Sequence, residues 1–346
     1  MSKKILVLLL ALMMVVGVFA CAPVTAPATE ATEAPAADTA ATEATEAPAA
    51  DAAATTEGAK TYKAAFIAQS LINESQAYAW KQFQQYCGEY GFEMTAFDGQ
   101  GDIQNDVKAV STCIAQGYDV IFINPNDINA IVPSLMEAKE AGIIVGMFSS
   151  DLTEDNWAYR DFFCGVNDTM AGQTAAQAFI DHFPDGATIV EIGGQAGHDA
   201  QIKRHDGFVQ GLEGSNITVL DTQNCSAWAT ADCMSIMEDF IEKYGDQIQG
   251  VFCHWDNGAT GIIEALKNTD LKDVYLVAVD GCRAGYDQVK AGTQAVSIGQ
   301  SFTNMAIKSL ECAKTLLEGG TVEAINYIPL DVVTKDNVDI LPYPEW

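Results

Sequence analysis

Cys253, His254, Trp255 and Asp256 stand side by side in the stretch VFCHWDNGATG, residues 251–261. A thiol, an imidazole, an indole and a carboxylate in succession suit three kinds of chemistry: they could ligate a metal, form a catalytic dyad, or wall a binding cleft. A metal site needs more ligands within reach. His198 and His205 are seven residues apart, two helical turns or ~10 Å, too far to share one ion directly. No CxxC pair occurs, which removes zinc-ribbon and thioredoxin-type motifs. A nucleophilic enzyme needs a base beside a Ser or Cys, and no GxSxG signature is present. GGQAG at 193–197 does not have the GxGxxG spacing of a phosphate cradle. The residues therefore predict no catalytic group, no cofactor and no metal, and favour the wall of a cleft.

The elements that would position such a wall are legible as periodicity. Short apolar runs lie at 63–70, 92–98, 119–125, 142–150 and 162–166, and again at 188–194, 217–223, 250–255, 274–281 and 295–300. Amphipathic stretches separate them, at 78–90, 103–116, 131–141, 169–182, 200–212, 231–244, 259–268 and 303–317. Near-continuous apolar strands alternating with helices mean parallel sheets covered on both faces. Two sets of five strands predict an α/β protein of two doubly wound lobes. Gly91, Gly117 and Gly142 each close a helical run where a left-handed residue belongs. Asn167 and Asp168 offer an N-cap.

In open parallel sheets, ligands bind beyond the carboxyl ends of the strands. The polar residues at those ends are Gln69, Ser70, Asn73, Asn124, Asp127, Ser149, Ser150, Asp151, Gln195, His198, Asn224, Trp228, Trp255, Asp256, Asp280 and Gln300. Two facing lobes would aim them into one cleft.

The start of the chain concerns location. Lys3 and Lys4 precede an uncharged apolar run at 5–20. Sixteen helical residues reach ~24 Å, short of the ~30 Å hydrocarbon core, so 1–20 reads as a signal peptide rather than a membrane span. The run ends in Val18-Phe19-Ala20-Cys21, which resembles the lipobox of bacterial lipoproteins and makes Cys21 the expected lipidation site. ATEATEAPAAD at 28–38 recurs at 41–51. The segment 21–60 is a disordered acidic tether, too poor in apolar residues to offset its ordering entropy. Lipid, tether and body together predict an exported protein in the cell envelope, held to the membrane by its lipid.

The chain has 47 Asp and Glu against 18 Lys and Arg. Seven of the acids lie in the tether, so the body itself is strongly acidic and a poor partner for nucleic acid. No basic DNA-binding segment precedes Thr61. Apart from Cys21, eight cysteines remain, several inside apolar runs where a thiol acts as a small hydrophobe. Cys225 and Cys233 bracket a loop and form the expected disulfide, if any.

In order and spacing, INPND at 123–127, Arg204 in KRHDGF, Trp228, WDNGATG at 255–261, VDG at 279–281, IGQ at 298–300 and DVVTKDNVD at 331–339 resemble the type I periplasmic sugar-binding proteins. These are the ribose-binding class that serves ATP-driven importers, and the resemblance covers about residues 64–339. It implies three crossings between lobes, near Val166, Gln300 and Pro329. The implied lobes are 61–166 with 301–329, and 167–300 with 330–346. It also implies a monomer that closes on a sugar or polyol and presents it to an ABC permease, or to a signalling receptor using the same cleft. Two departures bear on the ligand. The first loop reads LINESQAYAW, with Ser75 and Gln76 where the family has aromatics, and with Tyr78 or Trp80 as substitutes. Ser149-Ser150-Asp151 replaces the family's Asp-Arg pair.

The residue types suit a sugar. Asn73, Ser75, Gln76, Ser149, Asp151, Arg204, Asp256, Asp280 and Gln300 would serve the hydroxyl rim with hydrogen bonds, many of them charge-assisted. Trp228 and Trp255 would cover the apolar ring face. Plainer roles stand beside these: core packing for the indoles, helix capping for Asp256 and Asp280, an ion pair for Arg204. Cys253 is expected in the sheet, and His254 behind the cleft wall.

Overall fold

The computed structural model describes residues 60–346 apart from 272 and 345. The signal segment, Cys21 and the repeated tether lie outside the described residues. The first half runs β1 (Tyr62–Ala68), α1 (Glu74–Tyr86), β2 (Phe92–Asp98), α2 (Ile103–Ala115), β3 (Val120–Ile123), α3 (Val132–Glu140), β4 (Ile144–Phe148) and β5 (Phe162–Gly165). The second repeats the alternation: α4 (Asp168–His182), β6 (Ala187–Gln195), α5 (Asp199–Gly211), β7 (Ile217–Cys225), α6 (Thr230–Tyr244), β8 (Gly250–Cys253), α7 (Asp256–Leu266), β9 (Tyr275–Asp280), α8 (Arg283–Ala291) and β10 (Val296–Gly299). The chain ends with α9 (Phe302–Leu317), β11 (Ile325–Tyr327) and β12 (Asp331–Thr334).

The strands form two six-stranded sheets, ordered β11-β5-β4-β3-β1-β2 and β12-β10-β9-β8-β6-β7. The first is parallel throughout; in the second, β12 runs antiparallel to β10. The chain crosses from one sheet to the other after β5, after β10 and after β11. Each sheet with its helices is a lobe.

Strand composition follows from two-sided burial. Ala64, Phe66 and Ala68 of β1 face one core while Ala65 and Ile67 face another, so from 64 to 68 no position is left for a polar side chain. In the second lobe Val190 and Ile192 of β6 face one core and Ile189 the other. Phe302, Met305 and Leu310 of α9 join the core of Phe66 and Phe83, which places this late helix on the first lobe. Gly91, Gly117 and Gly142 take φ of 77°, 63° and 81°. Asn167 caps α4, accepting from Met170 N at 3.0 Å.

Three elements escape periodicity. α8 buries Gly285, Tyr286 and Val289, too short and too interrupted a stripe to read. β11 and β12 are three and four residues long, so an alternating pattern has no length in which to appear. The expected disulfide is corrected: Cys225 and Cys233 have sulfurs 3.8 Å apart, against ~2.05 Å for a bond, and all eight described cysteines are free. Cys233 also approaches Cys253 Sγ, at 4.0 Å, within an apolar core. Among the described residues no helix is long and apolar enough to cross a membrane.

Candidate functional site

The carboxyl ends of both sheets open on one cavity of about 600 Å³, within the ~300–1,000 Å³ usual for small-molecule sites. Gln69, Asn124 and Ser149 reach it from β1, β3 and β4; His198, Trp228, Trp255, Asp280 and Gln300 reach it from β6 to β10. Of the residues expected there, Asn73, Ser75, Gln76, Ser149, Arg204, Trp228, Trp255, Asp280 and Gln300 line it.

The second lobe supplies a wall of indole. Trp228 and Trp255 meet edge to face, centroids 5.1 Å apart. Trp228 lies against β6 because Gly194 has no side chain: a Cβ there would fall 2.1 Å from Trp228 Cη2. This is the use of the GGQAG run. His198 also meets Trp228 edge to face, centroids 5.3 Å apart.

The polar wall is held in place before any ligand arrives. Arg204 Nε donates to Asp168 Oδ1 at 2.8 Å and Nη1 donates to the His254 carbonyl, so two guanidinium nitrogens are fixed and the group faces the cavity. Gln300 Nε2 donates to Asp280 Oδ1 at 2.6 Å. Burial pushes the Asp280 carboxyl up, buried Asp256 pushes it further, and Arg204 and Gln300 pull against them. The buried Oε1 atoms of Gln76 and Gln300 have no donor. Among the described residues the non-glycine positions with positive φ are Gln100 (53°), Ser149 (63°) and Asp280 (136°), and all three line the cavity. Strain of this kind concentrates where a side chain must be aimed.

Hydrogen bonds join the lobes around this cavity. Gln69 Nε2 donates to Gln195 Oε1 at 2.6 Å, and Asp151 N donates to Asp199 Oδ2 at 2.8 Å. His198 Nδ1 accepts from Ala200 N at 3.3 Å, so its proton sits on Nε2 and is donated to Asn124 Oδ1 at 3.1 Å. Burial, with Arg204 and Lys203 nearby, holds this imidazole neutral, its pKa lowered to about 3. Asn257 donates to Glu74 across the same gap.

Two expected ligand residues are elsewhere. Asp256 is fully buried and does not line the cavity. Its carboxylate accepts from Gly281 N at 2.9 Å, Cys282 N at 3.3 Å, Gln294 Nε2 at 2.7 Å and Ser297 Oγ at 2.6 Å. It fixes the turn that carries Asp280 instead of meeting a ligand. Asp151 turns away to Arg160, whose Nη2 donates to its Oδ2 at 2.8 Å. The substitutes for the missing first-loop aromatics are also turned inward: Tyr78 is buried with its hydroxyl 2.9 Å from Thr303 Oγ1, and Trp80 stacks on Phe66. The stretch 251–261 thus divides its labour. Cys253 is in the sheet, its thiol donating to Trp255 O at 3.2 Å. His254 is buried, its Nε2 donating to Glu191 Oε1 at 2.9 Å. Trp255 faces the cavity, and Asp256 braces what lies behind it. Among the described residues no three His, Cys, Asp or Glu are grouped to hold a metal.

A family profile described as a periplasmic binding protein domain matches residues 62–321. The chain belongs to that family. Among relatives, the ribose import binding protein of Salmonella typhimurium is 26% identical over 252 residues, covering 73% of this chain and 83% of the relative. The xylitol-binding protein of Mycolicibacterium smegmatis is 28% identical over 261 residues, covering 74% and 72%. Among solved structures, a solute binding protein of an ABC transporter from Bacillus halodurans, with bound myo-inositol, superposes with a TM-score of 0.76 at 24% identity, covering 82% of this chain and 98% of that one. A galactofuranose binding protein gives 0.76 at 23%, covering 80% and 96%. The structural likenesses establish the two-lobed fold.

This periplasmic binding protein also places residues in its cavity that sequence reasoning passed over: Glu74, Gln100, Asn257, Thr260, Phe302 and Trp346. Asn257 was within reach, one residue past Asp256 in the same loop. Trp346 was not, since nothing local says where the chain end folds.

The buried carboxyls make stability depend on pH. Asp106, which accepts from Asn126 N at 2.7 Å and so pins the INPND loop, is pushed up to about 7 by burial despite those bonds. Asp199 is pushed up to about 6 by burial, against the pull of Lys203. Each binds its proton more tightly folded than unfolded. Between the unfolded carboxylate range near pH 4 and these raised values, stability falls as pH rises. Glu191 acts the other way. Burial alone would raise it, but hydrogen bonds from His205 and His254 bring it down to about 2, so its contribution is lost only below about pH 4.5. His198, its pKa lowered to about 3, works the other way up to its unfolded value near 6.5, so the melting temperature of the ligand-free protein should fall between about pH 6.5 and 8, where Asp280, pushed up to about 8 by burial, still gives up its proton. Calorimetric scans across that window check this; a melting temperature that rises through it would refute the assignment.

Proposed function

We propose that this chain is an extracytoplasmic solute-binding protein that captures a monosaccharide or related polyol between its lobes, 61–166 with 301–329 and 167–300 with 330–346, and delivers it to an ABC permease. The observation that carries the reading is the pairing of surfaces in one cavity: an indole wall beside Asp280, Arg204 and the side chains of Gln76 and Gln300. A sugar has both halves of that complement, C–H faces for the indoles and a rim of hydroxyls for the polar groups. Relatives named for ribose import and xylitol binding agree with it. The hydrogen bonds between lobes describe the closed form, and a ligand that touches both lobes only when closed shifts the equilibrium toward it. The reading assigns no cofactor and no catalytic residue. It places the body in the cell envelope, tethered through residues 22–60 to a lipid on Cys21.

The test is a thermal-shift screen of the purified body against D-ribose, D-xylose, D-allose, D-fucose, xylitol and myo-inositol. A ligand that binds only the native state at one hundred times its Kd adds about 2.7 kcal/mol of stability. At least one member should raise the melting temperature by several degrees, and the bound sugar should be recovered unchanged. A flat response across the panel would sink the reading.

A further inference from the structure

The first lobe contributes amides and hydroxyls to the cavity but no aromatic from its β1–α1 loop, where Asn73, Ser75 and Gln76 stand. An indole nevertheless lies on that side, and it comes from the far end of the chain. The tail is held on α8 of the second lobe: Tyr343 OH donates to Asp287 Oδ1 at 3.0 Å, Arg283 Nε donates to Pro344 O at 3.1 Å, and Arg283 N donates to Trp346 O at 2.6 Å. The Trp346 side chain departs from that lobe. It stacks on Tyr78 of α1 at 6.0 Å and 19°, and meets Phe302 of α9 edge-on at 5.1 Å, packing against the first-lobe core. It is only partly covered there and lines the cavity with Gln76, Asp280 and Gln300.

We propose that Trp346 is a ligand-binding residue that supplies the first-lobe side of the site with an aromatic face and straps the two lobes together as it does so. The inference rests on the sugar-capture reading. A sugar ring has two C–H faces. Trp228 or Trp255 would serve one from the second lobe; toward the other, the Trp346 indole is partly exposed where Phe302, which also lines the cavity, is buried. Its backbone is tied to one lobe and its ring to the other, so it completes the wall only when the lobes are together. That makes it part of what distinguishes the closed form energetically.

The experiment measures calorimetric affinity for the member of the sugar panel (D-ribose, D-xylose, D-allose, D-fucose, xylitol or myo-inositol) that most stabilises the wild type. Trp346→Leu keeps an apolar contact with Tyr78 and Phe302 but has no aromatic face; Trp346→Phe keeps a ring. The Leu variant should fold, with a ligand-free melting temperature within a few degrees of wild type, and bind about tenfold or more weakly. The Phe variant should stay within about threefold of wild type. Leu binding as tightly as wild type would overturn the proposal while leaving sugar capture intact. A Leu variant that no longer folds would assign the indole to the core and overturn it as well. Wild-type protein that binds no panel member would overturn sugar capture, and this inference with it.

Discussion

Arg204→Ala should lower the stability of the ligand-free protein by about 3–5 kcal/mol, the usual consequence of removing one member of a buried ion pair. Arg204 and Asp168 have side chains 4% and 2% exposed, so the carboxylate left behind loses its charge partner in a largely buried place. The His254 carbonyl loses a donor in the same step. For a protein of this size the loss should appear as a fall in melting temperature of roughly 6–15 °C. The stranded charge, not lost packing, is the expected cause, so adding Asp168→Asn to Arg204→Ala should recover a substantial part of the loss. A double mutant no more stable than the single would show that the ion pair is not what matters. An Arg204→Ala protein melting at the wild-type temperature would show that the pair contributes nothing. Sugar affinity should fall with the same substitution, because the group faces the cavity as well as Asp168.

Trp228→Ala and Asp280→Ala should each weaken binding of the best panel sugar by more than tenfold, about 1.4 kcal/mol or more, with the fold intact. Truncating Trp228 removes the ring face of the wall and leaves the bare backbone of Gly194 behind it. The change is confined to the cavity lining, so circular dichroism and cooperative melting should survive. Truncating Asp280 removes the rim acceptor and releases the Gln300 amide that it orients at 2.6 Å. The Asp280 backbone is held at φ 136°, which glycine adopts freely and alanine does not, so Asp280→Gly should bind as poorly as Asp280→Ala while folding at least as well. Unchanged calorimetric titrations for both Trp228→Ala and Asp280→Ala would refute the site. Asp256→Ala separates the two kinds of carboxylate: four hydrogen-bond donors converge on it behind the wall. It should destabilise the fold by leaving those donors buried and unpaired, and affect the sugar only through Asp280.

The alternation of strands and helices, the two-lobed α/β class and most of the loops that line the cavity were legible in the residue pattern. They were legible because two-sided burial forces each of these strands to be continuously apolar and each covering helix to be striped. Parallel connectivity then sends every functional loop to the same end of its sheet. What the tertiary structure alone decided was direction and company. Asp256 and Asp280 both sit at strand ends, yet one is encircled by donors from the turn after β9, from Gln294 and from β10, and the other faces the cavity. Asp151 was captured by Arg160, and Cys225 and Cys233 approach to van der Waals distance without bonding. Trp346 enters the site from some 270 residues beyond the loop whose missing aromatic it replaces. Each of these outcomes depends on contacts between segments distant in sequence, which periodicity over a local window cannot register.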